Sequence, residues 1–282
     1  MKTFVFGDTG GHAPQLQRAL IDLGVDLELA LIPEDIRIVH LGDIIHKGEH
    51  SDSLVGMIDR LIRNNPGRWI QLLGNHEFQH IEGAPYFWNC TCSVRTVNIL
   101  NEWWEEELAT ATYALPTPQH LTLDISGKLP QPNTSILFSH AGLSWQWWNA
   151  ISEPGTAEEA SLALNSLPVE FITAPGEMLG VRGGNPGPIW AVGNTEVFNS
   201  WFVQETVMPF TQIHGHTSSY KWTQNDWWRK DPAFRTFRDA TKLNPETRAV
   251  ITSMADNLLI GIDPGYSKNA SSLKQPFLTI IN

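Results

Sequence analysis

Three times within residues 1–80 the chain runs a short apolar stretch into a glycine followed by a polar residue. Thr3–Phe6 ends at Gly7-Asp8, Ile36–Leu41 at Gly42-Asp43, and Trp69–Leu73 at Gly74-Asn75-His76-Glu77. Between the first two runs, Leu16, Ala19, Leu20 and Leu23 recur at helical spacing behind Pro14, a residue suited to a helix's first turn. Between the second and third, Leu54, Ile58, Leu61 and Ile62 form another apolar face, with Ser51 or Asp52 as the expected N-cap. Buried strands alternating with amphipathic helices predict parallel pairing through right-handed crossovers. Ligands of such sheets bind outside the carboxyl ends of the strands. Asp8, Asp43 and Asn75 with His76 all fall there.

The second half is less regular. Leu121–Ile125, Ser135–Ser139, Phe210–Ile213 and Leu258–Ile262 read as strands. The last three end in polar clusters: Ser139-His140-Ala141-Gly142, His214-Gly215-His216-Thr217 and Asp263-Pro264-Gly265. A Gly/Pro-rich loop runs from Pro175 to Pro188, and residues 218–257 have weak periodicity. No convincing interdomain linker interrupts the chain. The expectation is one domain over 1–282, with variable insertions at about 143–206 and 218–257.

Composition limits what such a chain does. With 41% hydrophobic and 17% charged residues, the 282-residue chain can bury a sizeable core and does not read as disordered. Its formal net charge of −11 makes it a poor general binder of nucleic acid. Two cysteines, Cys90 and Cys92, are too few for a disulfide framework and fit a reducing, cytoplasmic location. No signal peptide or membrane-spanning run is evident.

The strand ends together supply Asp8, Asp43, Asn75, His140 and His216, with His12, His76 and His214 nearby in sequence. Oxygen and imidazole donors without thiolate suit Mn²⁺, Fe or Zn²⁺, Mn favoured, rather than a structural zinc cage. A carboxylate such as Asp43 can bridge two cations about 3.5–4 Å apart, an arrangement that makes a nucleophile from water and holds a phosphoryl group for in-line attack.

In this order the motifs resemble those of the calcineurin-like metallophosphoesterases, in the branch of serine/threonine protein phosphatases and diadenosine-tetraphosphate hydrolases. The matching segments are Gly7-Asp8-Thr9-Gly10-Gly11-His12, Gly42-Asp43-Ile44-Ile45-His46-Lys47-Gly48, Gly74-Asn75-His76-Glu77, His140-Ala141-Gly142 and Gly215-His216-Thr217. The resemblance covers residues 1 to about 142 and about 207 to 282. It implies an α/β fold, a four-layer α/β/β/α sandwich of mixed sheets, holding two divalent metal ions. It also implies hydrolysis of phosphate esters on a small phosphorylated substrate by a hydroxide held between the metals. Asp8 would ligate the first metal and Asp43 both. Asn75, His140 and His216 would ligate the second, with His76 unligated and protonating the leaving group or holding the phosphate.

The departures from that family matter as much. Its first motif places a metal-binding histidine two residues after the aspartate, where this chain has Gly10; His12 stands four residues after Asp8. Either the Gly10-Gly11 pair, free to take positive φ, folds the loop so that His12 supplies the imidazole, or His12 merely precedes the helix and the first metal is weakly held or absent. His46 replaces the aspartate that orients the catalytic histidine in protein phosphatases, and Lys47 replaces an arginine, giving a point charge in place of a bidentate fork. Leu73 stands where protein phosphatases carry a phosphate-clamping arginine. Together with His140-Ala141-Gly142, that leans toward the diadenosine-tetraphosphate side. Lys47 and Arg182 are the candidate substrate-binding cations. Two other readings remain: hydrolysis of dinucleoside polyphosphates or phosphodiesters, and a degenerate, non-catalytic metal-binding scaffold. Asp263, His214 and the tryptophan pairs read more simply as turn, strand end and packing.

Overall fold

The computed structural model describes residues 1–87, 90–116, 122–123, 135–268 and 274–281. In chain order its strands are β1 (Lys2–Phe6), β2 (Ile36–His40), β3 (Trp69–Leu72), β4 (Ala109–Thr110), β5 (Thr112–Leu115), β6 (Thr122–Leu123) and β7 (Ile136–Ser139). They continue with β8 (Thr211–His214), β9 (Tyr220–Lys221), β10 (Asp226–Trp227), β11 (Thr241–Asn244), β12 (Ala249–Met254), β13 (Asn257–Gly261) and β14 (Phe277–Ile281).

Two mixed sheets result among the described residues. The first runs β4-β3-β2-β1-β14-β6, with β1 to β4 parallel and β14 antiparallel to β1. The second runs β11-β12-β13-β8-β7-β5, with β7, β8 and β13 parallel. Helices α1 (Ala13–Asp22), α2 (Ser51–Asn64) and α3 (Asn75–Phe78) follow β1, β2 and β3, as the alternating pattern predicts, and α4 (Val94–Glu105) precedes β4.

Three apolar layers explain why these strands read as nearly unbroken hydrophobic runs. Side chains alternate across a strand, so a strand buried on both faces needs apolar residues on each. Phe4 and Phe6 of β1 face Leu16 and Leu20 of α1 and Leu54 and Ile58 of α2, whereas Val5 points the other way. There it joins Val39, Leu41 and Leu72 against Phe138, Ile213, Ile251, Leu258 and Ile260 of the second sheet. Beyond that sheet, Leu137, Val250 and Leu259 pack on Trp147, Trp148, Ala160, Leu164 and Trp201. The layers are therefore helix, sheet, sheet, helix, the expected sandwich.

Several boundaries differ from the sequence reading. The N-cap of α2 is His50, with no side-chain cap hydrogen bond; the Ser51 hydroxyl is engaged elsewhere, accepting the His46 backbone N–H at 2.9 Å. Of the strand expected at 121–125, only 122–123 lie within the described residues. Residues 218–257 contain β11 and β12, which extend the second sheet through antiparallel pairing to β13. Turn residues within that stretch hide its periodicity. No helix among the described residues is long and apolar enough to cross a membrane.

Phe138 is fully buried between the sheets. Phe138→Ala should lower unfolding free energy by about 3–5 kcal/mol in denaturant titrations. Leu162→Ala, at a 73% exposed helical position, should change it by no more than about 0.5 kcal/mol.

Candidate metal centre

Five strand ends converge at the rim of the two sheets. Asp8 follows β1, Asp43 follows β2, Asn75 follows β3, and His140 and His216 follow β7 and β8. Asp8, Asp43, Asn75, His140 and His216 are all buried. The glycine before a ligand is there for space. A Cβ on Gly74 would sit 2.2 Å from Asp43 Oδ1, and one on Gly215 would sit 2.4 Å from Asp8 Oδ1.

One carboxylate holds two of these loops together. Glu77, fully buried in α3, accepts the backbone N–H groups of Asp43 (2.7 Å) and Gly74 (2.9 Å) on Oε2. On Oε1 it accepts those of Ile44 (2.9 Å) and Ile45 (3.2 Å). Asp43 itself has a positive φ of 51°, an uncommon state for a non-glycine residue that these bonds sustain. Burial and the nearby Asp43 charge push the Glu77 carboxyl up to about 8, while its N–H donors favour the ionised form. In sequence Glu77 is simply the last residue of Gly74-Asn75-His76-Glu77, and nothing local marks it as the anchor of two loops.

The protonation pattern makes this a cluster that could hold a cation. His140 Nδ1 faces the Leu41 carbonyl at 2.8 Å, so Nδ1 carries the proton and Nε2 a lone pair; burial lowers the pKa of this ring. That lone pair lies 3.0 Å from Asn75 Oδ1 and 3.3 Å from Asp43 Oδ1. His216 Nδ1 is 3.1 Å from the same Asn75 oxygen. Ligand atoms of Asp43, His140 and His216 all lie within 4.8 Å of one another. His216 Nε2 and Asp8 Oδ2 are buried without a hydrogen-bond partner. Electron-rich atoms facing each other with no proton between them are unfavourable unless a cation sits among them. Asp43, Asn75, His140 and His216 therefore fit the second metal of the expected pair.

The first-metal side departs from the expected set. Its histidine position is Gly10, with φ 55°, and a Cβ there would meet the Lys47 stem at 3.1 Å. Lys47 fills that space and brings its ammonium 3.9 Å from Asp8 Oδ2. Burial would lower the Lys47 pKa, but Asp8, Asp263 and Asp43 more than offset it and keep the ammonium charged. His12 is tied down elsewhere: Nε2–H donates to the Ser267 carbonyl at 2.9 Å and the ring meets Tyr266 edge-on. Of the two readings of His12, this geometry matches a residue packed ahead of α1.

Charge follows from the same crowding. Burial, then Asp263 and Asp43, raise the Asp8 pKa well above the usual carboxylate range. For Asp43, burial is outweighed by His76, His140, Lys47 and His216, which hold it well below that range. His76 projects over the cluster with Nε2 3.6 Å from Asp43 Oδ2, and its Nδ1 lies 2.6 Å from His46 Nδ1. His214 turns away, donating Nδ1–H to the Gly215 carbonyl, and Asp263 accepts the Gly265 N–H in a turn. Arg182 lines an open surface cavity of about 810 Å³ with Glu177, Asn199 and Arg229, which none of the five convergent residues lines.

A model of the calcineurin-like phosphoesterases matches residues 1–251. The chain belongs to that family. As a calcineurin-like phosphoesterase it is a metal-dependent hydrolase of phosphoric esters, and the family implies a dinuclear divalent centre. No curated protein sequence matches it significantly. Among solved structures, a mutant cold-active protein tyrosine phosphatase aligns over 99% of this chain and 74% of its own, at 14% identity and a TM-score of 0.54. That likeness shows the fold. The cold-active protein-tyrosine phosphatase of a Shewanella species aligns at 13% identity with a TM-score of 0.48, over 99% and 74% of the two chains. A serine/threonine phosphatase from Saccharomyces cerevisiae aligns at 12% and 0.46, over 100% and 80%.

Replacing Glu77 by Gln turns one acceptor oxygen into a donor facing buried N–H groups. Denaturant titration of Glu77→Gln should show a loss on the order of 2–4 kcal/mol. Acid lability has a separate source. Burial lowers His40 to about 3 and His214 to about 4 from 6.5, so the folded state binds fewer protons than the unfolded chain. Stability is then lost as pH falls below about 6.5, and the loss continues down to those folded values. In chelator-treated protein each ring should cost on the order of 2 kcal/mol between pH 7 and pH 5, and His40→Gln should flatten that slope.

Proposed function

We propose that the chain hydrolyses small phosphorylated molecules at this centre, with phosphate monoesters as the first substrate class. The convergence of the His140 Nε2 lone pair with the Asn75 and Asp43 oxygens, none bearing a proton, carries the reading. Asp43, Asn75, His140 and His216 would hold a divalent ion, Mn²⁺ by preference for an oxygen and imidazole set, and Asp8 would face it across Asp43. Such ions, when bound, activate water and neutralise phosphoryl charge.

The chain's own groups supply the rest. Lys47 would bind a phosphoryl oxygen while its charge compensates Asp8 on the side where the histidine ligand is replaced by Gly10. His76, 12% exposed at the rim, is positioned to hold a proton on Nε2 and pass it to the departing oxygen. Leu73, fully buried, leaves no arginine clamp at its position, and this favours compact phosphates over phosphoprotein surfaces. The same feature with His140-Ala141-Gly142 supports a second reading, cleavage of dinucleoside polyphosphates or phosphodiesters. Two free cysteines support a reducing, cytoplasmic setting.

Turnover of a chromogenic phosphomonoester, a diester and a dinucleoside tetraphosphate, each with added Mn²⁺, should rank the substrates. Chelation and Asp43→Asn should each abolish the activity; unchanged turnover in both would remove the proposal. His76→Asn should lower kcat by about 10²–10⁴-fold. Lys47→Met, which keeps the stem and deletes the charge, should lower kcat/KM roughly ten- to hundredfold.

A further inference from the structure

We propose that His46, His80 and Cys92 form a second, separate metal site, of soft-ligand type suited to Zn²⁺, directly behind His76. His80 Nε2 lies 3.2 Å from His46 Nε2, and Cys92 Sγ lies 3.5 Å from the same nitrogen. All three ligand atoms fall within 4.8 Å of one another. A tetrahedral ion with Zn–N near 2.05 Å and Zn–S near 2.3 Å separates two nitrogens by about 3.3 Å and a nitrogen from a sulfur by about 3.6 Å. The two measured edges match.

Hydrogen bonding alone does not account for the cluster. His46 Nε2 carries either one lone pair or one proton, so in either tautomer it makes one full hydrogen bond, to His80 Nε2 or to Cys92 Sγ, and leaves the other beside it unserved. An ion uses the lone pairs of all three atoms, with a water in the fourth position. The thiol proton leaves to solvent as the sulfur–metal bond forms, so charge and atoms balance.

The ligands are held by their surroundings, as a preorganised site requires. The His46 backbone N–H donates to Ser51 Oγ, and its φ of 66° turns the chain sharply. His80 N–H donates to the Glu77 carbonyl, and Asn101 Nδ2 donates to the His80 carbonyl at 2.9 Å. Cys92 precedes Ser93, the N-cap of α4, whose hydroxyl donates to Asp52 of α2. Cys92 also lines an open cavity of about 440 Å³ with Gly48, His50 and Ser51, giving an ion a route in.

The site reaches the reaction through one bond. An ion on His46 Nε2 leaves the ring proton on Nδ1, 2.6 Å from His76 Nδ1, so His46 donates there. His76 then carries its own proton on Nε2, the nitrogen facing Asp43. This consequence rests on the proposed role of His76; the site itself does not.

Cobalt(II) is the probe, because a thiolate-to-cobalt charge-transfer band arises only from a cysteine ligand and the Asp43 centre has none. Full-length protein titrated with Co²⁺ should develop the band. Cys92→Ser should abolish it, His80→Gln should weaken it at least tenfold in Co²⁺ affinity, and Asp43→Asn and Cys90→Ser should keep it, with far-UV circular dichroism checking folding of each variant. Absence of the band in the unaltered protein, or its survival in Cys92→Ser, would overturn the site. ¹⁵N spectra of the Zn²⁺-loaded protein should place the His76 proton on Nε2; a proton on Nδ1 would overturn the coupling. Neither readout involves turnover, so failure of the phosphoesterase proposal would be seen separately, in the substrate assays.

Discussion

The Glu77 carboxylate is the interaction on which the centre depends. Four backbone N–H groups from two loops end on its two oxygens, in a place where Glu77 is fully buried. By gathering them, Glu77 holds Asp43 in a positive-φ conformation and brings the Gly74 loop so near the Asp43 carboxylate that a Cβ on Gly74 would sit 2.2 Å from Oδ1. The candidate ligands Asp43 and Asn75 are thereby held on backbone rather than on flexible side-chain reach. A buried carboxyl group used this way is costly to ionise and costly to remove, which ties local stability to the geometry of the site.

Around that anchor the charge is distributed unevenly. On one side Asp43, Asn75, His140 and His216 present a set of lone pairs to a common point. On the other, Asp8 faces an ammonium, and the Lys47 stem lies against Gly10. The two sides of the proposed centre are thus unlike, one built from candidate ligands and the other carrying a covalently attached cation. His46 adds a second asymmetry. An imidazole stands beside His76 where related phosphatases carry a carboxylate, and an imidazole has a far nitrogen able to bind something of its own.

The legibility of the fold varied with how far its signals were local. β1, β2, β3 and their helices were visible because each repeats a short apolar run, a glycine and a polar residue, a pattern set by burial on both strand faces. β7, β8 and β13 were visible for the same reason. β11 and β12 were not, because β11 lies at the sheet's edge, where half-buried Thr241 and Leu243 flank exposed Lys242 and the buried residue that follows is the polar Asn244, and turn residues separate it from β12. The short β4 and β5 gain their pairing from neighbouring strands rather than from their own residues.

The ligands were legible for a chemical reason: carboxylate, amide and imidazole groups at the ends of buried strands have few uses other than binding. The residue order alone determined the layered α/β class, the family, the five convergent positions and the departures at Gly10, His46 and Lys47, since each is a matter of residue type at a strand end. Which way His12 turns, what fills the space at Gly10, and that His46, His80 and Cys92 meet were decided only when the chain closed. Those contacts join residues many positions apart through loop backbones with positive φ, and no periodicity along the chain encodes where such a loop will aim its side chain.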